Sequence, residues 1–348
     1  MTLPIYQIFI NHREHALLKS DIWSERFVHA SMLLGGKRIP IRIRYRGGHT
    51  REYPKKSYEI RTSQATYHFN AEYDDPSMIR NALSFKFFNS IQVSSPATQH
   101  CVLHINERSA GVYLRIEGVN ASFFKRRGIP VKSIIYAVND DADFTDKTSS
   151  KKSMFSGYSL IKGDNQDRVQ LSRFIRYIHL YKRDELQKYL IRHLDIGNYL
   201  RWLSGAVLTG NYDGFNQNYT LFEHRTRKLY GIIPWDYEGT WGRNCYGKLV
   251  GSNLVKIHGY NKLTEKVLSY PEYRQQYKTL LAHLIDTVFT VRRQLPIVYR
   301  LYNQISDDMY KDASQKWSTQ LFDGEPDTIR YYIENRREDI SDQLRSLD

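Results

Sequence analysis

The chain of 348 residues carries 51 Lys plus Arg against 37 Asp plus Glu, a formal net charge of +14, and 41% of it is hydrophobic, with 27 tyrosines. That apolar content is enough for a sizeable core, in one large domain or two modest ones, and excludes disordered and collagen-like classes. The longest apolar runs, such as the one inside Leu280 to Val291, stop well short of the roughly 18 residues of a membrane helix, and Met1 to Ile10 leads at once into Asn11, His12, Arg13 and Glu14 rather than an apolar leader, so the reading is an intracellular protein without a membrane span.

In chain order, Pro4 to Ile10 alternates as a strand, and Ile39 to Tyr45 (IPIRIRY) sets apolar residues at every second position. Arg46 to Arg51 (RGGHTR) then reverses the chain, and Lys56 to Ile60 (KSYEI) alternates again, which predicts a hairpin with a long basic, glycine-bearing tip. Asp74, Asp75, Pro76 and Ser77 open a helix in which Met78, Ile79, Leu83, Phe87 and Phe88 form one apolar face crossing the sheet. Strands Val102 to Ile105 and Val112 to Ile116 follow, joined by Asn106 to Ser109.

Beyond Glu117, Gly118 and Val119 the pattern reads as helical, after a polar, mobile stretch from Asn139 to Ser153. Phe174, Ile175 and Ile178, then Leu186, Tyr189 and Leu190, then Ile196, Tyr199, Leu200, Leu203, Val207 and Leu208 recur at the helical period. Strands Tyr219 to Glu223 and Leu229 to Ile233 interrupt them, and helices follow around Tyr273 to Val291, Ile297 to Ile305 and Thr328 to Leu344, with Pro296 separating the first two. The expected architecture is α+β: a small β-rich lobe over residues 1–119 and a larger, mainly helical lobe over residues 120–348. Cys101 and Cys245 stand far apart without a CxxC pair and read as free thiols, and the histidines show no zinc-ligand spacing.

Two segments look chemical. In Gly210 to Asn218 (GNYDGFNQN), Asp213 and Asn218 lie on a loop between an apolar helix and a strand, and Asp236 follows the next strand in Pro234 to Gly239 (PWDYEG), so both acids leave one hairpin on the same side. Phosphoryl transfer needs hard oxygens to hold Mg²⁺ or Mn²⁺, a carboxylate near the attacking hydroxyl, and basic groups on the phosphates. Asp213, Asn218 and Asp236 answer the first two needs, and Arg46, His49, Thr50, Arg51, Lys55 and Lys56 of the first hairpin answer the third. That is the order of parts in a protein kinase, which makes ATP the expected cofactor. Taken singly, Asp213 also fits an Asx-turn residue, RGGHTR a solvated turn, Trp235 a core aromatic and Glu238 a surface carboxylate.

The sequence closely resembles the spore coat protein H family of atypical protein kinases through Arg46 to Ile60 (RGGHTREYPKKSYEI), Asp74 to Phe85, Ile105 to Val119, Gly210 to Phe222 (GNYDGFNQNYTLF), Ile232 to Gly242 (IIPWDYEGTWG) and Ile329 to Leu344. The resemblance spans nearly the whole chain. It implies a kinase-like two-lobed fold, ATP-dependent Ser/Thr kinase activity on Ser-rich, basic structural proteins of the bacterial endospore coat, a role in coat assembly, and residence in the sporulating cell and its spore coat. Carried over, Asp213 becomes the catalytic-loop Asp that orients or deprotonates the acceptor hydroxyl, and Asn218 and Asp236 become the metal ligands. Lys56 becomes the phosphate lysine with Lys55 as runner-up, Arg46 and Arg51 steady the phosphates, Trp235 packs on adenine, and Glu117 to Val119 form the hinge.

Ordinary protein kinases differ from this chain in several places. There is no GxGxxG; Asn211 and Tyr212 replace the His-Arg before the catalytic Asp; Asp236, Tyr237 and Glu238 replace Asp-Phe-Gly; and the helix after Asp75 offers Arg80 where an acid would pair with the lysine. Two rival readings remain: transfer of AMP to a hydroxyl on the same scaffold, and a non-catalytic basic coat scaffold built on clusters such as Lys125, Arg126, Arg127 and Lys151, Lys152. The aromatics lie on apolar periodic faces instead of alternating with basic residues, which speaks against nucleic acid. Asp140, Asp141, Asp143 and Asp146 are expected to form an acidic groove for basic substrates.

Overall fold

A computed structural model describes residues 2–345; the outer ends of the two expected lobes, Met1 and Asp348, lie outside the described residues. The chain is a mixed α+β protein. Its first part runs β1 (Ile5–Phe9), α1 (His12–Ser20), β2 (Val28–Leu34), β3 (Lys37–Arg46), β4 (Ser57–Arg61), β5 (Thr66–Asn70), α2 (Arg80–Ser90), β6 (Thr98–Ile105) and β7 (Arg108–Glu117). The strands do not build the kinase-like small lobe that the resemblance implies. They close into a barrel of order β1-β2-β3-β4-β5-β7-β6, shut by a parallel pairing of β6 with β1 that sets Ile5 beside Val102. The detour through α2 returns the chain on the far side of β5, so β7 rather than β6 pairs with β5 and β6 is left free to meet β1. Ile41, Ile43 and Tyr45 point into the barrel with Ile8, Ile60, Phe69 and Leu103, as the alternation of IPIRIRY requires.

The expected amphipathic helix is instead buried nearly all round: of α2, only Lys86, Asn89 and Ser90 are exposed. It is wedged between the barrel and the helical part, and the hydrophobic core passes through it without a break, from Val112 and Leu114 on β7 to Trp202 and Leu203.

The second part runs α3 (Ala121–Arg126), β8 (Val131–Ala137), β9 (Tyr158–Lys162), α4 (Asn165–Leu180), α5 (Arg183–His193), α6 (Ile196–Thr209), β10 (Tyr219–His224), β11 (Tyr230–Pro234), α7 (Lys262–Val267), α8 (Pro271–Thr287), α9 (Val291–Met309), α10 (Thr319–Asp323) and α11 (Glu325–Arg345). Strands β8 and β9 were not expected; they join the β10–β11 hairpin in an antiparallel sheet of order β11-β10-β8-β9. The stretch from Asn139 to Ser153, expected to be mobile, is packed: Ala142 and Phe144 are fully buried, and Phe144 stacks on Tyr219 at 5.8 Å. Pro296 does not separate two helices. It lies inside α9, and the break falls earlier, where the Thr290 side chain caps α9 by accepting from the Arg293 N–H.

Candidate active site

A cleft of about 780 Å³ opens between the barrel and the second sheet, lined by the β3–β4 turn on one side and by the loops around Asp213 and Asp236 on the other. Helix α6 delivers the first of these loops. It ends at Gly210, whose left-handed backbone (φ +73°) lets the Asn211 N–H reach back to the Ala206 carbonyl at 3.1 Å and the Gly210 N–H to the Val207 carbonyl at 3.2 Å, a Schellman-type stop. A Cβ at Gly210 would land on the Tyr332 hydroxyl. The Asn211 side chain then accepts from the Gly214 N–H at 3.0 Å, and the short 3-10 turn Asp213–Phe215 holds Asp213 at the cleft wall, which Cys245 also lines. Burial, and next the Asp213 charge, push the Cys245 thiol up to about 12, so it stays protonated and both cysteines remain free thiols.

The hairpin β10–β11 delivers the other two residues. Tyr219 pairs with Pro234, and the ladder runs one step further through Trp235 N–H to Asn218 carbonyl at 3.0 Å, so Asn218 before β10 and Asp236 after β11 leave the same end side by side. Both have left-handed backbones, φ +60° and +57°, a conformation that Asn and Asp tolerate better than most residues. Asp213, Asn218 and Asp236 all line the cleft.

Across from them, Arg46, His49, Thr50 and Lys55 line the cleft, and Gly48 leaves open space where a side chain would stand. Arg46 donates to the Asn70 side-chain oxygen and lies over the Trp235 ring, 5.5 Å from its centroid. Arg51 is not among the lining residues: its guanidinium is buried, donating to the Gly47 carbonyl at 2.8 Å and the Trp23 carbonyl at 2.9 Å and pairing with Glu25, so it braces the turn from behind. Lys56 is turned the same way, its ammonium on the Arg51 carbonyl at 2.6 Å. Strand β4 starts only at Ser57, so both lysines precede it, and Lys55 is the one that faces the cleft.

Two more expected contacts fall outside the cleft lining. Trp235 packs edge-on against His68 at 5.1 Å and stacks near Tyr136 at 6.1 Å, joining the barrel to the second sheet. Glu117 accepts from the Ala97 N–H at 2.9 Å and pairs with Arg126 and Arg127, so it fastens the barrel's end to α3. The four-aspartate groove is also absent as drawn. Asp141 pairs with Lys152 at 2.7 Å, Asp143 lies 3.6 Å from Lys147, Asp146 accepts from Thr148, and only Asp140 lines the cleft.

Sequence reading missed the acids on the cleft floor. Glu72 and Asp74, between β5 and α2, are each 2% exposed yet line the cleft, and Glu238, expected at the surface, lines it beside Asp236. One oxygen of Glu72 accepts from the Asn81 amide at 3.2 Å and the other has no partner; one oxygen of Asp74 takes Lys316 at 2.5 Å and the other has none. Burial, then Asp75 and Asp236, push the Glu72 carboxyl up to about 8. Burial also raises Asp236, with Arg46 opposing and Asp213 adding to the rise, and Glu238 is raised by burial, Asp236 and Glu72. The only local sign of this was acid density around Asp74 and Glu238, which also fits a helix start and an exposed loop.

Crowded carboxyls that raise one another's pKa suit a divalent cation, whose charge relieves their repulsion. Among the described residues no three Asp, Glu, His or Cys side chains already close on one point. A Mg²⁺ ion at a nucleotide needs fewer, because it takes one or two carboxylates and completes its shell with phosphate oxygens and water. The hard oxygens of Asn218 and Asp236, with the unpartnered Glu72 oxygen on the same cleft floor, fit that demand.

The comparisons agree with the motifs. The family model described as CotH kinase protein matches residues 43–340. The chain is 37% identical to the inner spore coat protein H of Bacillus subtilis over 99% of its length and 98% of the relative's. It is 26% identical to that organism's inner spore coat protein H-like protein, over 84% of this chain and 87% of that one. Likeness to the crystal structure of a Helicobacter pylori proinflammatory kinase, CtkA, at a TM-score of 0.35 and 11% identity over 83% of this chain and 93% of that one, is too slight to bear on fold or activity. The sequence motifs, the cleft they build and the family match lead to one conclusion: the chain belongs to the CotH kinase protein family.

Proposed function

We propose that the protein is an ATP-dependent serine/threonine kinase of the bacterial spore coat, with a two-lobed, kinase-like division of labour, acting on Ser-rich, basic coat proteins. One observation carries the reading: Asp213, Asn218 and Asp236 meet on one wall of a single cleft, opposite the basic β3–β4 turn. The names of the relatives support the coat setting.

Asn218 and Asp236 hold the divalent cation, which when bound neutralises charge on the phosphate oxygens and so lowers the barrier to displacement. Arg46, His49, Thr50 and the open backbone at Gly48 face the phosphates, and Lys55, rather than Lys56, is the lysine that reaches them. Asp213 accepts the hydrogen bond of the acceptor hydroxyl and takes its proton as the oxygen attacks the γ-phosphorus, while the bond from that phosphorus to the β–γ bridging oxygen breaks and ADP leaves. Asp140 at the cleft suits a basic residue flanking the acceptor, which helps reconcile a +14 chain with a basic substrate.

The test is intact-mass analysis of a Ser-rich basic coat protein after incubation with ATP and Mg²⁺. A mass gain of one or more phosphates supports the kinase; a gain of AMP gives the cleft a different transfer chemistry, and no gain leaves a binding scaffold.

A further inference from the structure

In protein kinases the phosphate lysine is held by an acid on the crossing helix, and movement of that helix switches the pair on and off. Helix α2 cannot supply that acid. Its first residue, Arg80, is fully buried between Asp75 and Glu325, each at 2.6 Å, and donates to the Thr240 carbonyl at 2.8 Å. Lys55 is nevertheless paired. Its ammonium lies 2.9 Å from Asp312, which follows α9 and is 257 residues away along the chain. Both side chains are almost wholly buried, at 3% and 2% exposure.

Asp312 is fixed from every side. The oxygen that meets Lys55 also accepts from the Val112 N–H of β7 at 2.8 Å, and the other accepts from the Ser314 N–H at 2.8 Å and its hydroxyl at 2.6 Å. The strand makes room at Gly111, φ +95°, where a Cβ would overlap both Asp312 oxygens and the Ser314 hydroxyl. All four hydrogen bonds come from β7, Lys55 and the loop itself, so the pair involves no movable helix.

Resting on the reading of Lys55 as the phosphate lysine, we propose that Asp312 is its positioning residue, a preset replacement for the crossing-helix acid that keeps the lysine aimed at the phosphates without an activation step. Asp312 does not line the cleft and acts only through Lys55. The other groups facing the ammonium are Glu72, Cys101 and the Tyr113 ring, whose centroid is 5.0 Å away. Burial draws the Lys55 pKa down and Asp312 opposes this, so removing the carboxylate lowers it further.

Steady-state phosphate transfer by Asp312→Asn, Ser314→Ala and Lys55→Ala over a pH series tests this, with thermal melting confirming the folded state. The expected result is an ATP KM raised about tenfold in Asp312→Asn and about threefold in the milder Ser314→Ala, the scale of one charged and one neutral hydrogen bond. The acceptor KM stays at the wild-type value, and the alkaline limb of kcat/KM for ATP moves to lower pH in Asp312→Asn. A folded Asp312→Asn, or Ser314→Ala if the former does not fold, with wild-type ATP KM and an unmoved alkaline limb, while Lys55→Ala is impaired, overturns the role of Asp312. Full activity in Lys55→Ala overturns the phosphate-lysine reading beneath it.

Discussion

At the scale of single residues, Asp236 is held in a strained backbone and among like charges, both of which cost stability that a function must justify. A carboxyl whose pKa is raised by folding favours the native state most at low pH, and that advantage is lost as pH rises through the folded value. Asp236→Asn should therefore melt no lower than wild type at pH 8 without metal, and the difference should shrink at pH 5, while phosphate transfer falls by about a hundredfold or more through loss of a metal ligand. Differential scanning fluorimetry and a transfer assay on the same samples check both halves. Lys56→Ala should slow transfer by less than about threefold, since it removes one hydrogen bond to the Arg51 carbonyl outside the cleft.

The contrast between these residues shows what sequence could reveal. Asn218 and Asp236 were legible because one hairpin sets them side by side, and Asp213 because its loop leads directly into that hairpin; such contacts are local. Lys55 and Lys56 could not be separated by alternation, because neither lies in β4 and the phase of a strand does not extend beyond its end. Arg51 reads as a phosphate ligand until Trp23 and Glu25 are placed beside it, and Lys55 has a partner 257 residues away.

At the scale of elements, α6 and α2 meet where Gly205 faces the Phe88 ring, so closely that a Cβ would overlap it. Gly205→Ala should cost about 1–3 kcal/mol by overpacking, seen as a lower urea midpoint with an unchanged slope. Because α6 ends in the Asp213 loop, activity should fall with stability. Helix α6 was legible from its period, whereas β8 was not: a short run such as VKSIIYA fits a buried strand or a buried helix equally well until the β10–β11 hairpin is there to pair with it. The barrel was hidden for a related reason. Its strands were read individually, but closure depends on the parallel β6–β1 contact between segments almost a hundred residues apart, which no local pattern encodes.

At the scale of the whole molecule, the segment from α9 to α11 ties the barrel to the helical part through buried charge. Asp312 meets Lys55, Lys316 meets Asp74, and Glu325 meets both Arg80 and Arg243, the latter at 3.0 Å. Burial alone would raise the carboxyls of Asp312 and Glu325, but Lys55 and Arg80 hold them below their ordinary values. Stability from a depressed carboxyl is complete above the ordinary range near about pH 4 and is lost as pH falls through the folded value. Wild type should therefore unfold in acid from about pH 4 downward. Glu325→Gln, which takes the carboxylate from Arg243 and leaves Arg80 with Asp75 alone, should lose about 3–5 kcal/mol at pH 7 and show a flatter acid limb in chemical denaturation. The raised acids of the cleft act in the opposite sense, so stability peaks between the two regimes.

In the proposed mechanism, Asp213 and Asp236 act together from one cleft wall in phosphate transfer. The most direct measurement follows labelled phosphate from ATP with Mg²⁺ into a Ser-rich basic coat protein, using wild type, Asp213→Asn and Asp236→Asn matched for folded fraction by thermal melting. Incorporation by wild type that is lost in both variants is the predicted result; incorporation at the wild-type rate in either folded variant would contradict it.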